Sequence, residues 1–152
     1  MSVELKAVSF EIDDEKFAID INHVDTVIEY QKTTKVPEAS DFIEGIVNFR
    51  DGVLPIINLR LKFNYPQFQD KYKAKVLVVK AGEKKFGLMV DEVKEVMNIK
   101  QEQIEESPSV GGTKADYISG IIKTEEDMIF LIDVEKILSA EEKIELDKVI
   151  RS

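Results

Sequence analysis

Residues 17–28 read FAIDINHVDTVI, and residues 86–97 read FGLMVDEVKEVM. The two stretches align without a gap, with aromatic and apolar residues at matching places. A second match follows farther along the chain, where residues 42–47 (FIEGIV) align with residues 117–122 (YISGII). Because both matches occur in the same order, the sequence indicates an internal duplication of one β-rich unit. Such a repeat predicts two small barrels or sheets related by a pseudo-twofold axis.

The repeated unit has the residue pattern of β-hairpins. Apolar residues alternate with polar ones in residues 7–12 and again in residues 17–21, on either side of a polar turn. Farther along, Asp51 and Gly52 interrupt a β-prone run at residues 45–59. This dipeptide favours a two-residue turn, because both positions accept a positive φ. The sequence therefore predicts a mainly β protein.

Two helices are predicted outside the hairpins. Asn22 is a plausible N-cap of a short helix that ends near residue 28, with Val24 and Val27 on its apolar face. Residues 139–151 begin with Ser-Ala-Glu-Glu, which fits the capping-box pattern and predicts a final helix.

Composition limits the possible partners. The chain has 152 residues, 43% of them hydrophobic, which is enough for the packed core of one ordinary domain or two fused small ones. Its formal net charge of −9 argues against nucleic acid and against anionic membrane surfaces, because both need a basic footprint. No stretch resembles a signal peptide or a membrane span, and the absence of cysteine excludes disulfides. These features predict a cytoplasmic protein that binds no nucleic acid and does not insert into the membrane.

The sequence offers little to a catalyst. His23 is the only histidine, so a zinc site or a Ser-His-Asp relay lacks the side chains that it needs. Acidic runs at residues 13–15 and 125–127 lie where hairpins are expected to turn in water, and they lack the spacing of a calcium loop. We therefore expect a binding protein with no enzymatic activity, no cofactor and no metal site.

The long hairpin also resembles a known family. Residues 45–50 (GIVNFR), with Pro55 and then residues 58–60 (NLR), are similar to the G-x-x-N-L-R-G-x-x-x-P-x-x-D-L-R stretch of the CheW family. Residues 86–93 (FGLMVDEV) are similar to that family's G-x-x-V-D-x-V stretch. The resemblance covers almost the whole chain. One departure is Asp51, which stands where the family usually has glycine.

The resemblance implies a mainly β fold of two intertwined five-stranded β-barrels over a shared core, with short helices and a C-terminal helix. It implies a single domain over residues 1–152, with one barrel half at about 7–66, the other at about 75–138 and the helix at about 139–151. Members of the family are adaptors without enzymatic activity. They couple the cytoplasmic tips of chemoreceptors to the regulatory domain of the histidine kinase CheA. By this resemblance the protein is a monomer in solution that assembles into receptor arrays at the inner face of the membrane.

Matching positions of the family imply where the partners bind. Arg50 matches an arginine implicated in receptor coupling, and its ordinary interpretation is a weak surface salt bridge with Asp51 or Glu44. Gly45 matches a glycine implicated in kinase coupling, and the turn alone would also explain it. Five apolar residues match positions that meet the receptor on the short helix or line the groove between the barrels, and core packing alone would also explain them: Val8, Ile21, Val24, Val27 and Val93.

Two other functions remain open from the sequence. One is an adaptor of the same fold in a histidine kinase pathway other than chemotaxis, which the genomic neighbourhood would reveal. The other is a small barrel that binds a ligand in the groove. The shortage of histidine and cysteine disfavours that alternative, and a thermal-shift screen with metabolites would test it.

Overall fold

The computed structural model describes residues 4–106 and 117–151 and shows a mainly β protein. Its strands and helices have these bounds: β1 (Glu4–Ile12), β2 (Glu15–Asp20), β3 (Val24–Glu29), β4 (Ile43–Phe49), β5 (Gly52–Asn58), α1 (Leu59–Lys62), β6 (Lys75–Ala81), β7 (Lys84–Val90), β8 (Glu92–Lys100), β9 (Ile104–Glu106), β10 (Ile118–Lys123), β11 (Met128–Ile132) and α2 (Ala140–Arg151).

The strands form two sheets, and each sheet takes strands from both copies of the repeat. Sheet 1 has the order β8-β1-β2-β11-β10-β9, and sheet 2 has the order β3-β6-β7-β5-β4. The hairpin β1–β2 thus lies among strands of the second copy, while β6–β7 lies among strands of the first. Parallel pairing of β2 with β11 and of β5 with β7 joins the copies within each sheet. The predicted mainly β fold with intertwined copies is therefore confirmed, with six strands in sheet 1 and the expected five in sheet 2.

The buried apolar side chains form three clusters. One of them draws side chains from both sheets, including the fully buried Phe10, Ile19, Leu77 and Leu88. The other two each lie within one sheet's strands, around Ile56 and Val76 in sheet 2 and around Ala18 and Ile122 in sheet 1. Since burying one large apolar side chain contributes about 1.5–3 kcal/mol, the shared cluster fixes how the two sheets pack.

The C-terminal helix forms where the sequence predicts it. The Ser139 backbone N–H donates to Glu142 Oε1 at 2.7 Å, and the Glu142 N–H donates to Ser139 Oγ at 3.1 Å, which is the predicted capping box. Leu146 is buried in the shared cluster, and Glu142 is ion-paired with Lys62 of α1. The helix therefore packs on the core through Leu146 and through contacts at its first turns.

The short helix predicted from Asn22 is not present. Ile21–His23 form a single 3₁₀ turn, which Asp20 Oδ1 caps by accepting from the Asn22 N–H at 2.9 Å. From Val24 the chain continues as β3, antiparallel to β6. The prediction was wrong because β-branched residues suit a strand, and pairing with the distant β6 outweighs a local helical period.

The β4–β5 turn lies one residue earlier than predicted. Arg50 and Asp51 form it, with φ of 46° and 63°, and Gly52 already pairs with Phe49 across the hairpin. Two positive φ angles are what a type I′ turn requires. Aspartate tolerates this conformation, but arginine adopts it rarely. The pairing of β4 with β5 on either side of the turn therefore holds Arg50 in a backbone conformation that is rare for this residue.

Candidate partner-binding site

Arg50 connects the β4–β5 turn to β3 through an ion pair. Its Nη1 donates to the two carboxylate oxygens of Asp25, at 3.1 and 2.9 Å. Lys85 on β7 contacts the same carboxylate, with its Nζ 2.8 Å from Oδ2. Because β3 and β4 are the edge strands of sheet 2, these contacts bring its opposite edges together. The structure thus pairs Arg50 with Asp25 in place of Asp51 or Glu44.

The local environment favours an ionised Asp25 and an extended Arg50. The Lys85 ammonium, through its hydrogen bond, is the largest influence that holds the pKa of Asp25 below its ordinary value. The Arg50 guanidinium adds to this effect, and partial burial of the carboxylate opposes it. Arg50 also lies 4.8 Å from the centroid of the Phe49 ring, a cation–π distance. Its side chain nevertheless stays 57% exposed, so the guanidinium remains available to a partner.

The apolar residues of the predicted site divide into two groups. Ile21, Val24 and Val93 are half-buried and pack against the cluster shared by the sheets, and Val8 is 6% exposed within that cluster. Val24 lies at the start of the edge strand β3, and Val93 occupies the equivalent place in the edge strand β8. Val27 stands apart from this cluster and is 42% exposed on β3. The structure therefore brings four of the five to one shared core and leaves Val27 on the surface.

Gly45 has a structural reason to be glycine. Its φ is +149°, and a Cβ there would lie 2.6 Å from the Thr34 carbonyl oxygen and 2.8 Å from Thr33 Cβ. Thr34 forms a β-bridge with Ile46, which explains the close approach. A side chain at position 45 would displace this segment, so a substitution there would act through the backbone.

A second cluster of charges was not predicted from the sequence. Arg60 in α1 donates through Nε to Asp91 Oδ1 at 2.8 Å and through Nη2 to Asp91 Oδ2 at 2.5 Å. Its Nη1 donates to the Pro66 carbonyl at 3.0 Å. Arg60 and Asp91 both lie in the motifs that carry the family resemblance, but they are 31 positions apart. Like Asp25 and Lys85, they meet only because the sheets exchange strands.

The surface of the second copy repeats the apolar positions of the first with different charges. Val96 is equivalent to Val27 and is 54% exposed, and Met128 is equivalent to the exposed Val53. The turn equivalent to Arg50-Asp51 is Glu125-Glu126, closed by the Thr124 N–H donating to the Asp127 carbonyl at 2.9 Å. The two copies therefore present similar apolar groups beside a basic turn in one case and an acidic turn in the other.

A cavity of about 560 Å³ lies on the sheet 1 side, next to this acidic turn. Four of its charged side chains already have partners, because Lys16 contacts Asp127 at 2.7 Å and Lys94 lies 3.6 Å from Glu11. Among residues 4–106 and 117–151, no group of three or more His, Asp or Glu side chains is arranged to hold a metal ion. None of the helices that the structure describes is long and apolar enough to cross a membrane.

The fold and the site define a scaffold of the protein-binding class, made from a duplicated β unit with its sheets interlocked. Residues 6–142 match the CheW-like domain family. The chain belongs to this family. Its members are adaptors and not enzymes, so the predicted non-enzymatic adaptor of chemotaxis signalling is confirmed.

Individual relatives agree with this assignment. The chain is 35% identical over 144 residues to a chemotaxis protein CheW of Klebsiella aerogenes, covering 94% of this chain and 87% of that protein. It is 30% identical over 135 residues to the chemotaxis protein CheW of Thermotoga maritima, covering 89% and 88%. The crystal structure of the scaffolding protein TtCheW from Thermoanaerobacter tengcongensis superposes with a TM-score of 0.84 at 31% identity, covering 92% of this chain and 96% of that one.

Proposed function

We propose that this protein links the cytoplasmic tips of chemoreceptors to the regulatory domain of the histidine kinase CheA. In this role it works in the cytoplasm, is a monomer in solution and joins receptor arrays through its two partners. The proposal rests on family membership and on one structural observation. Arg50 is fixed above β3 by Asp25, so an exposed cation and the apolar residues Val24 and Val27 share one edge of sheet 2.

The receptor is the partner assigned to this edge. A receptor tip is a helical hairpin, and a helix that docks by an apolar stripe needs apolar side chains flanked by polar groups that orient it. Val24 and Ile21 supply partly buried apolar surface at this edge, and Val27 extends it outward. Val93, on β8 of sheet 1, packs against the same shared cluster. Arg50 supplies the charge at the rim, where it selects partners more than it adds affinity.

The kinase is assigned to a separate surface, since an adaptor must hold both partners at once. Gly45 is the candidate for kinase coupling. Because Gly45 has no Cβ, residues Thr33 and Thr34 can lie close to its backbone, and this contact shapes the outer edge of β4. In an array, many weak contacts between adaptor, receptor and kinase together give a higher overall affinity through avidity.

The decisive experiment measures the two partners separately. Replacing Arg50→Glu places an acid beside Asp25, so we expect affinity for a chemoreceptor signalling fragment to fall about 10-fold, equivalent to about 1.4 kcal/mol. Binding to the CheA regulatory domain should stay within about 2-fold of the parent protein. Isothermal titration with each purified partner gives both numbers.

The matched control is Glu125→Arg, a charge reversal at the equivalent turn of the second copy. It should leave receptor affinity unchanged. Receptor binding by Arg50→Glu at the level of the parent protein would refute the assignment of this edge. Equal loss of both partners would indicate a damaged fold in place of a damaged site.

A further inference from the structure

The chain passes between the sheets at two equivalent points, and they are built differently. The first crossover is the capped 3₁₀ turn Ile21–His23, which leads from β2 in sheet 1 to β3 in sheet 2. The second is Asp91 alone, between the end of β7 in sheet 2 and the start of β8 in sheet 1. A crossover of one residue leaves no spacer, so Asp91 alone must turn the chain out of sheet 2 and into the pairing of β8 with β1, which begins at Glu92.

Arg60 holds this crossover residue with a two-pronged contact. Its Nε and Nη2 donate to the two oxygens of the Asp91 carboxylate, a fork geometry that fixes direction as well as distance. Asp91 Oδ2 also accepts from the backbone N–H of Asp13, in the β1–β2 turn of sheet 1, at 2.8 Å. Arg60 itself belongs to α1, directly after β5 of sheet 2. The Arg60–Asp91–Asp13 contacts therefore tie one sheet to the other.

Further contacts keep the Arg60 side chain in one pose. The guanidinium donates to the Pro66 carbonyl at 3.0 Å and lies 5.1 Å from the centroid of the Phe68 ring. The Arg60 side chain is only 16% exposed, so solvent screens the pair with Asp91 less than it screens an exposed ion pair.

The equivalent place in the other copy has no such residues. The position equivalent to Arg60 is Glu135, that equivalent to Asp91 is Asn22, and that equivalent to Asp13 is Gly82. An arginine fork cannot form there. The crossover at Ile21–His23 is instead held by its own cap from Asp20. The ionic connection between the sheets is thus one-sided.

We propose that Arg60 is a positioning residue that fixes the placement of β8 relative to β3 by holding Asp91. Val93 follows Asp91 by two positions on β8, and Val24 is its equivalent on β3. Arg60 thereby sets the spacing between the apolar residues assigned to the receptor, although it lies outside that group. The consequence for binding rests on the proposed receptor function, whereas the effect on strand placement does not.

Strand placement can be measured without any partner. The chain contains no cysteine, so Glu29→Cys on β3 and Asn98→Cys on β8 accept spin labels at two exposed, equivalent positions. Double electron–electron resonance should give a narrow distance distribution in the parent protein. We expect a broader or shifted distribution in Arg60→Gln and in Asp91→Asn, because each removes the fork. Arg60→Lys keeps the charge but not the fork, so it should fall between them and the parent.

The control is Lys123→Gln, which removes the exposed Lys123–Glu105 ion pair within sheet 1 and should leave the distribution unchanged. Far-ultraviolet circular dichroism and thermal unfolding confirm that each variant is folded. If Arg60→Gln fails to fold, Arg60→Lys and Asp91→Asn carry the test. A parent-like distribution in the folded fork variants would overturn the proposal.

Titration with the receptor fragment separates this inference from the proposed function. A broadened distribution with receptor affinity lowered about 5-fold, and kinase affinity kept, supports both. A broadened distribution with unchanged receptor affinity supports the positioning role of Arg60 and removes the receptor from the Val24–Val93 surface.

Discussion

The two equivalent hairpin turns show how a duplicated scaffold comes to have two unlike surfaces. In the first copy Arg50 has a left-handed backbone conformation, and its side chain contacts Asp25 on the edge strand β3. In the second copy the turn is Glu125-Glu126, and the residue equivalent to Asp25 is Lys94. The strands that flank both turns are paired in the equivalent register, with Asn48 opposite Val53 and Lys123 opposite Met128. Only the first turn has two positive φ angles, so the copies differ in turn backbone as well as in charge. A partner chosen by an exposed arginine on one copy would meet acid on the other.

The equivalent lysines make the same point in a different way. Lys85 on β7 contacts Asp25 of the edge strand, whereas its counterpart Lys16 on β2 contacts Asp127 beside the acidic turn. Each copy therefore keeps a lysine at one position and changes the carboxylate that it meets. The lysine keeps its place in both copies, while the carboxylate that it contacts comes from a different part of the fold.

The largest expected effect tests whether the two copies are equally strained at their glycines. Gly45→Ala should destabilise the protein by about 2–4 kcal/mol, since it forces an L-residue to a φ of +149° and into the Thr34 carbonyl. Gly120→Ala should cost less, about 1–2 kcal/mol, because a Cβ there would lie 2.9 Å from Ile104 Cγ2 and 3.0 Å from the Glu105 carbonyl oxygen but requires no positive φ. Urea unfolding of both variants gives the comparison. An equal loss in the free energy of unfolding of both variants would show that the positive φ and the close contact with Thr34 do not make Gly45→Ala the more destabilising change.

A smaller effect tests whether the exposed valines differ in function. Val27→Asp and Val96→Asp change equivalent exposed positions, so each should alter stability by less than about 0.5 kcal/mol. Only Val27→Asp should weaken binding to the receptor fragment, by about 5-fold, because Val27 shares its strand with Asp25 and Val24. Titration calorimetry distinguishes them. A similar loss for Val96→Asp would mean that both edge strands contact the receptor.

The smallest effect concerns the titration of Asp25. Its lowered pKa means that the ionic contribution to stability is fully present above the ordinary carboxyl pKa and is lost as pH falls through the lowered value. Lys85→Met should raise the pKa of Asp25 toward its ordinary value, because it removes the largest influence. Lys16→Met, the equivalent change on sheet 1, should leave Asp25 unaffected. Carboxyl carbon-13 NMR measures both, and an unmoved Asp25 titration in Lys85→Met would contradict the assigned cause.

Much of the fold was predictable because its signals are local. The hairpins follow from alternation of apolar and polar residues, and the capping box at Ser139 marks the final helix. The short helix at Asn22 was predicted wrongly, because Val24–Glu29 carries an apolar period that suits a helix and a β-branched content that suits a strand. Only the presence of β6 decides between them.

The candidate site was predictable in its residues but not in its connections. Arg50 and Val24 follow from the motif match, yet the partner of Arg50 does not, since Asp25 is 25 positions away with no pattern to link them. The same holds for Arg60 and Asp91. Such pairs form because strands that are distant in sequence become neighbours in the fold. No local sequence pattern indicates which strands these will be.

The amino-acid sequence by itself determined that this protein is a duplicated β unit, acidic, with one histidine and no cysteine, and similar to the CheW family. These properties depend on composition and on residue order within short windows. Tertiary structure alone decided which strands share a sheet, that the two copies exchange their hairpins, and that Arg50 and Arg60 hold carboxylates from distant strands. The physical reason is that strand pairing and ion pairing act across space, so their partners are chosen only when the two sheets close on their common core.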